Sequence, residues 1–139
     1  MLDGDDFAVS RAVLADAEAR LLSGDYFTGV ILLQTFVEML IRALLNALIS
    51  ANRVPVRIRG SDFDGQRRAV CNALLIAEGD QLLNDWRQNV YRVRGGGVHR
   101  ARMGISDQQA HNAHTAVSNL ARELLKRATE SGLAVNDLA

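Results

Sequence analysis

Residues 30–49 read Val30-Ile31-Leu32-Leu33-Gln34-Thr35-Phe36-Val37-Glu38-Met39-Leu40-Ile41-Arg42-Ala43-Leu44-Leu45-Asn46-Ala47-Leu48-Ile49. In steps of three and four, Val30, Leu33, Val37, Leu40, Ile41, Leu44, Leu45 and Leu48 share one helix face. Ile31, Leu32, Phe36, Met39 and Ile49 cover much of the rest. A helix apolar nearly all round is central to a bundle or lies in a membrane. Gln34, Thr35, Glu38, Arg42 and Asn46 interrupt this one, and its longest unbroken apolar run is Val30 to Leu33. A membrane span is therefore not expected. The reading is a buried central helix from Asp25, as N-cap, to about Ser50.

Its neighbours follow from the same periodicity. Upstream, Val13, Leu14, Ala17 and Leu21 form a stripe on a helix from about Asp6 to Leu22, capped by Asp5 or Asp6 and ended by Ser23-Gly24. Downstream, Asn52 to Asp64 reads as a loop with Pro55 and Gly60. A third helix is expected from Asp64, as cap, to about Ala77. After the turn Glu78-Gly79-Asp80 a fourth runs to about Val93, with Leu82, Leu83, Trp86, Val90 and Val93 inward, and Gly95-Gly96-Gly97 breaks it. Ser106-Asp107-Gln108-Gln109 is a capping box for the last helix, flanked by Ile105 and Ala110 at the staple positions. Ala113, Val117, Leu120, Ala121, Leu124 and Ala128 form its core stripe. The fold class is all-α: a compact bundle of about five helices in one domain over residues 1–139, with 132–139 a frayed tail.

Composition agrees. The chain has 139 residues, 48% hydrophobic and 23% charged, with one Pro and 5% aromatics. That excludes disorder and argues against an all-β fold. A single cysteine, Cys71, excludes an internal disulfide framework and fits a reducing compartment. Met1-Leu2-Asp3-Gly4-Asp5-Asp6 lacks the basic and apolar regions of a secretory signal, so a cytoplasmic location is expected.

The zero formal net charge hides clustering. Fifteen of sixteen basic residues are Arg. Residues 52–68 carry Arg53, Arg57, Arg59, Arg67 and Arg68. Residues 86–102 carry Arg87, Arg92, Arg94, Arg100 and Arg102 and no acid. Guanidinium groups bind phosphate bidentately, so clustered Arg points to an RNA partner. Within the second cluster Arg94 closes a helix and His99 follows on the loop. In α-helical geometry Arg87 and Arg94 lie within about 20° of each other in azimuth, with Tyr91 between them. An imidazole that titrates near neutrality and a fixed guanidinium suffice in principle for RNA cleavage by attack of the ribose 2′-OH on the adjacent phosphate. Two copies across a two-fold axis would give a fuller set. Arg92, Arg100 and Arg102 are the candidate RNA-backbone contacts, and Glu38 is expected either to pair with Arg42 or to orient Arg94 or Arg87. His111 and His114, at i,i+3, do not make a metal site on this reading, and the three glycines lack the strand–loop–helix context of a nucleotide-binding loop. No metal and no cofactor are expected.

Arg94-Gly95-Gly96-Gly97-Val98-His99 between the last two helices resembles the R-x4-6-H motif of the HEPN superfamily, the higher eukaryotes and prokaryotes nucleotide-binding domain. Gly24-Asp25-Tyr26-Phe27-Thr28-Gly29-Val30 and Glu38-Met39-Leu40-Ile41-Arg42 are similar to upstream segments of that family, so the likeness runs from about Gly24 to Ala128. The resemblance implies a symmetric homodimer with two Arg94–His99 pairs facing each other. It implies a metal-independent endoribonuclease of toxin or phage-defence type, His99 as acid/base and Arg94 stabilising the phosphate. It also implies, for some members, an inactive module that binds RNA, a nucleotide or a protein such as an antitoxin or a nucleotidyltransferase. Gly95 stands where the family commonly has a polar residue, which favours the inactive alternative.

Overall fold

The computed structural model describes residues 2–95, 104–133 and 135. Among these residues the secondary structure is helical, with no strand. There are five helices: α1 (Leu2–Leu22), α2 (Tyr26–Ser50), α3 (Phe63–Ala73), α4 and α5 (Asp107–Glu130), plus a 3-10 turn at Val56–Gly60. Helix α4 starts as Gln81–Trp86, passes through a π-helical turn at Arg87–Tyr91 and ends in an α-turn at Arg92–Gly95.

Helix α2 is the centre. Thirteen of its 25 residues are buried, and every other helix packs on it. By length and mean hydropathy, 1.6, it is long and apolar enough to cross a membrane, so its polar interruptions do not exclude that on composition. In this fold Gln34, Glu38 and Asn46 hydrogen-bond to other side chains, and Arg42 is exposed.

The α1–α2 hairpin closes at Gly24, whose φ of +86° lets the Asp25 N–H reach the Arg20 carbonyl at 2.9 Å. Helix α1 begins at Leu2, so Asp5 and Asp6 lie inside the helix and are not its caps. Asp6 instead accepts a hydrogen bond from Asn46 Nδ2, 3.0 Å, at the far end of α2. Asp25 holds the N-cap position of α2, but its carboxylate makes no cap bond and lies 3.8 Å from Arg20. The two helices approach most closely at Gly29, where a Cβ would sit 2.5 Å from Leu21 Cδ2 and 3.3 Å from the Leu21 backbone nitrogen.

Two boundaries differ from the expected ones. Asp62, not Asp64, caps α3, accepting from the Gly65 N–H at 2.8 Å. The helix then ends at Ala73, short of Ala77. Leu75 adopts a left-handed φ of +62°, and the Ile76 N–H bonds back to the Cys71 carbonyl at 2.8 Å. This is a Schellman turn built on leucine, which turns Ile76 into the core and leaves Leu75 81% exposed. The capping box of α5 is present in both directions: Ser106 Oγ accepts from the Gln109 N–H at 3.1 Å, and Gln109 Oε1 from the Ser106 N–H at 2.9 Å. Beyond Gly132, Leu133 and Val135 are buried, and the rest of the tail expected to fray, residues 134 and 136–139, lies outside the described residues.

Two substitutions test this packing. Gly29→Val should lower stability by about 2–3 kcal/mol, through overpacking against Leu21, and lower the thermal midpoint. Leu75→Gly should raise stability by about 0.5–1 kcal/mol, because glycine removes the cost of a left-handed residue that buries nothing. Chemical denaturation measures both.

Candidate functional site

The polar residues of α2 are not scattered. Gln34 is completely buried, and its Oε1 accepts from the Trp86 indole N–H at 2.9 Å. Its Nε2 donates to Glu38 Oε2 at 3.2 Å. The half-buried Glu38 carboxylate is thus tied to α4 through one amide. An unpaired buried amide costs on the order of 1–3 kcal/mol, so this chain of bonds fixes the register of α4 on α2.

The π-turn follows Trp86 directly. Its i→i+5 bonding brings the fifth residue back over the first, and Tyr91 accordingly stacks on Trp86 with ring centroids 5.3 Å apart and planes tilted by 57°. Phe63 meets the same indole edge-on at 6.0 Å. Tyr91 remains 42% exposed. The turn also corrects the expectation that Arg87 and Arg94 share a face. One extra residue in a turn rotates everything beyond it by about 100°. Arg94 lies in the α-turn that follows. Arg92 is exposed there. His99, Arg100 and Arg102 lie outside the described residues.

Arg87 belongs to a different assembly, which the sequence reading missed. Its Nη1 donates to the Glu78 carbonyl, 3.1 Å, and to Asn84 Oδ1, 3.2 Å, and its Nη2 lies 3.3 Å from Glu78 Oε1. Arg67, only 2% exposed, donates to Glu78 Oε2 at 2.7 Å and to Asp64 Oδ1 at 2.9 Å. Arg68 adds a bond to Asp64 at 3.0 Å. Two arginines of the first cluster and one of the second therefore converge on two carboxylates and clamp α3 to the start of α4. They are structural cations, with Arg87 held by Glu78 and Asn84. Hydrogen bonding from Arg67 holds the Glu78 carboxyl below its ordinary range, against the burial that would raise it. Burial opposes the charge on Arg67, but the bonds to Glu78 and Asp64 more than restore it, so it stays charged at all ordinary pH. Burial pushes the Cys71 thiol up, with Arg67 partly offsetting it, which marks Cys71 as a core residue and not a nucleophile.

Arg59 and Arg53 also serve the fold: Arg59 Nε donates to Asn46 Oδ1 at 3.0 Å, and Arg53 to the Ser131 carbonyl. His114 bonds Glu18 across the bundle at 2.8 Å. Among the described residues no group of three or more His, Cys, Asp or Glu side chains is arranged to hold a metal ion. No protein-family model, no curated protein and no solved structure matches this chain.

The clamp makes a pH prediction. Glu78 titrates lower in the folded than in the unfolded chain, so its contribution is present above the ordinary glutamate range, pKa about 4.3, and is lost as pH falls below it. Glu78→Gln should cost about 1–3 kcal/mol near neutral pH, less than a fully buried pair because Glu78 is 53% exposed and Asp64 still faces Arg67. It should also flatten the acid limb of a stability-versus-pH curve measured by denaturant unfolding.

Proposed function

We propose that this chain is a HEPN-like endoribonuclease that acts without a metal as a symmetric homodimer. The observation that carries the reading is positional. Arg94 lies in the last described turn of α4, and residues 96–106 join that turn to the capping box of α5, so the R-x4-H pair falls at the junction of the last two helices. Two further features support it. The Glu38–Gln34–Trp86 line ties an acid of α2 to the helix that carries Arg94, and Arg92, two residues before it in the chain, is exposed.

In this mechanism His99 removes the proton of the ribose 2′-OH, which attacks the adjacent phosphorus. The bond to the 5′-oxygen breaks, and that oxygen leaves as a hydroxyl after taking a proton from the partner's His99. Arg94 holds the phosphate and stabilises the charge that builds on its oxygens. Arg92, Arg100 and Arg102 grip the backbone, with Glu38 and Tyr91 positioning the Arg94 end of α4. The products carry a 2′,3′-cyclic phosphate and a 5′-hydroxyl.

A second reading has its own observation. Gly95 leaves the position after Arg94 without a side chain, and Arg87 is committed to Glu78. A catalytically silent dimeric module, binding RNA, a nucleotide or a partner such as an antitoxin or a nucleotidyltransferase, fits those two facts.

The deciding experiment incubates the protein with total RNA and tRNA in EDTA beside His99→Ala and Arg94→Ala. Wild-type cleavage leaving cyclic-phosphate ends should fall by about 10²–10⁴-fold in each variant, with folding and dimerisation unchanged. No wild-type cleavage, or equal cleavage by all three, sinks the nuclease reading and leaves the binding module.

A further inference from the structure

A cavity of about 480 Å³ lies where the end of α1 and the start of α2 face the first turns of α5, and it shares no lining residue with the arginine clamp. That volume falls within the range of small-molecule sites. Its floor is apolar: Leu21, Leu22 and Ala110. Its polar groups come from three helices. Glu18 of α1 meets His114 of α5, and Tyr26 of α2, Asp107 and His111 of α5 line the same cleft. In a chain with 16 basic Lys and Arg residues, neither type is among the described residues that line it.

We infer that this cleft binds a small organic ammonium ion with a compact apolar body. Two carboxylates from different helices, an aromatic ring and a leucine floor match a charged head on a short hydrocarbon or aromatic stem. The competing fields do not reverse the preference. The starts of α2 and α5 each offer roughly half a positive charge and the end of α1 half a negative one, beside the carboxylates of Glu18 and Asp107. The helix starts are also partly answered already, by the Ser106–Gln109 capping box and the Asp107 carboxylate in the first turn of α5. Glu18 keeps a second acceptor oxygen, since His114 engages only its Oε2. A phenolic or alkyl stem would lie on Leu21 and Leu22. Leu22 is 90% exposed, so such a stem would cover apolar surface that the fold leaves in water.

Tyr26 stays neutral at ordinary pH, because the neighbouring Asp107 carboxylate pushes its hydroxyl up from its ordinary value.

The test is an amide-resolved NMR titration of the intact chain with tyramine and with isoamylamine. The matched anion 4-hydroxyphenylacetate and the uncharged isoamyl alcohol serve as controls. Both amines should give saturable shifts centred on Leu21, Leu22, Tyr26, Ala110 and His111. Binding should weaken about fivefold in Glu18→Gln and in Asp107→Asn, the size expected for a partly exposed charge contact. Asp107 lies on the surface, so its variant keeps the test open should Glu18→Gln disturb the α1–α5 contact. The proposal is overturned if neither amine saturates by about 50 mM, well above the weakest affinity of specific fragments. Equal binding of the anion or the alcohol overturns it too, as does unchanged affinity in both variants.

Discussion

A single buried amide sets the geometry of this molecule. Gln34 sits in the middle of the most apolar helix, with no access to water, and two hydrogen bonds satisfy it, one from Trp86 and one to Glu38. Apolar packing alone would hold α4 against α2 in several registers, because leucine and valine contacts are non-directional. The indole–amide bond admits one of them, since any slip leaves a buried polar group unmatched. From that fixed point the rest follows in order: the π-turn directly after Trp86, the stacking of Tyr91 back on the indole, and the placement of the final turn that bears Arg94.

Charge in this protein divides into two kinds by burial and pairing. Arg67, Arg68 and Arg87 answer Asp64 and Glu78, while Arg53, Arg59 and Arg127 tie loops and helix ends together. Arg127 is the clearest case: its Nη1 donates to the Leu75 carbonyl at 2.9 Å, so the last helix closes the left-handed end of α3. A long arginine stem reaching a backbone carbonyl does what a terminal glycine and solvent would otherwise do. Clustering in sequence therefore overstates the cationic surface.

The elements whose signals are local could be read from the chain. The capping box at Ser106, the Gly24 turn and the apolar face of α2 each depend on residues within one or two helical turns, and each stands where the pattern puts it. What escaped depends on contacts made across the fold. Leucine at a left-handed position carries no glycine signal, so the end of α3 at Ala73 is set by Ile76 reaching the core. The π-turn has no residue code and arises where Trp86 and Tyr91 are both held against their neighbours. Glu78 reads as a turn residue beside Gly79, yet three arginines from two sequence clusters meet on it. At the candidate site, Arg94 is placed by its helix, whereas the face it shares with Arg87 was misjudged because regular α-geometry was carried through an irregular turn. Gln34 and Glu38, four residues apart in an apolar run, were visible as a pair of anomalies, but only the partner on α4 gives them a role.

The π-turn has one further consequence. It is geometrically an insertion of a single residue into α4, absorbed without unfolding the helix. Removing one residue between Trp86 and Arg92 would restore regular winding and leave Trp86 on Gln34, and the far end of α4 would keep its direction, because the π-turn spreads over five residues about the rotation that an α-helix makes in four. The segment thus works as a splice in the helix: one surplus residue is taken up within a single turn, and the contacts on either side of it stay where a shorter helix would put them.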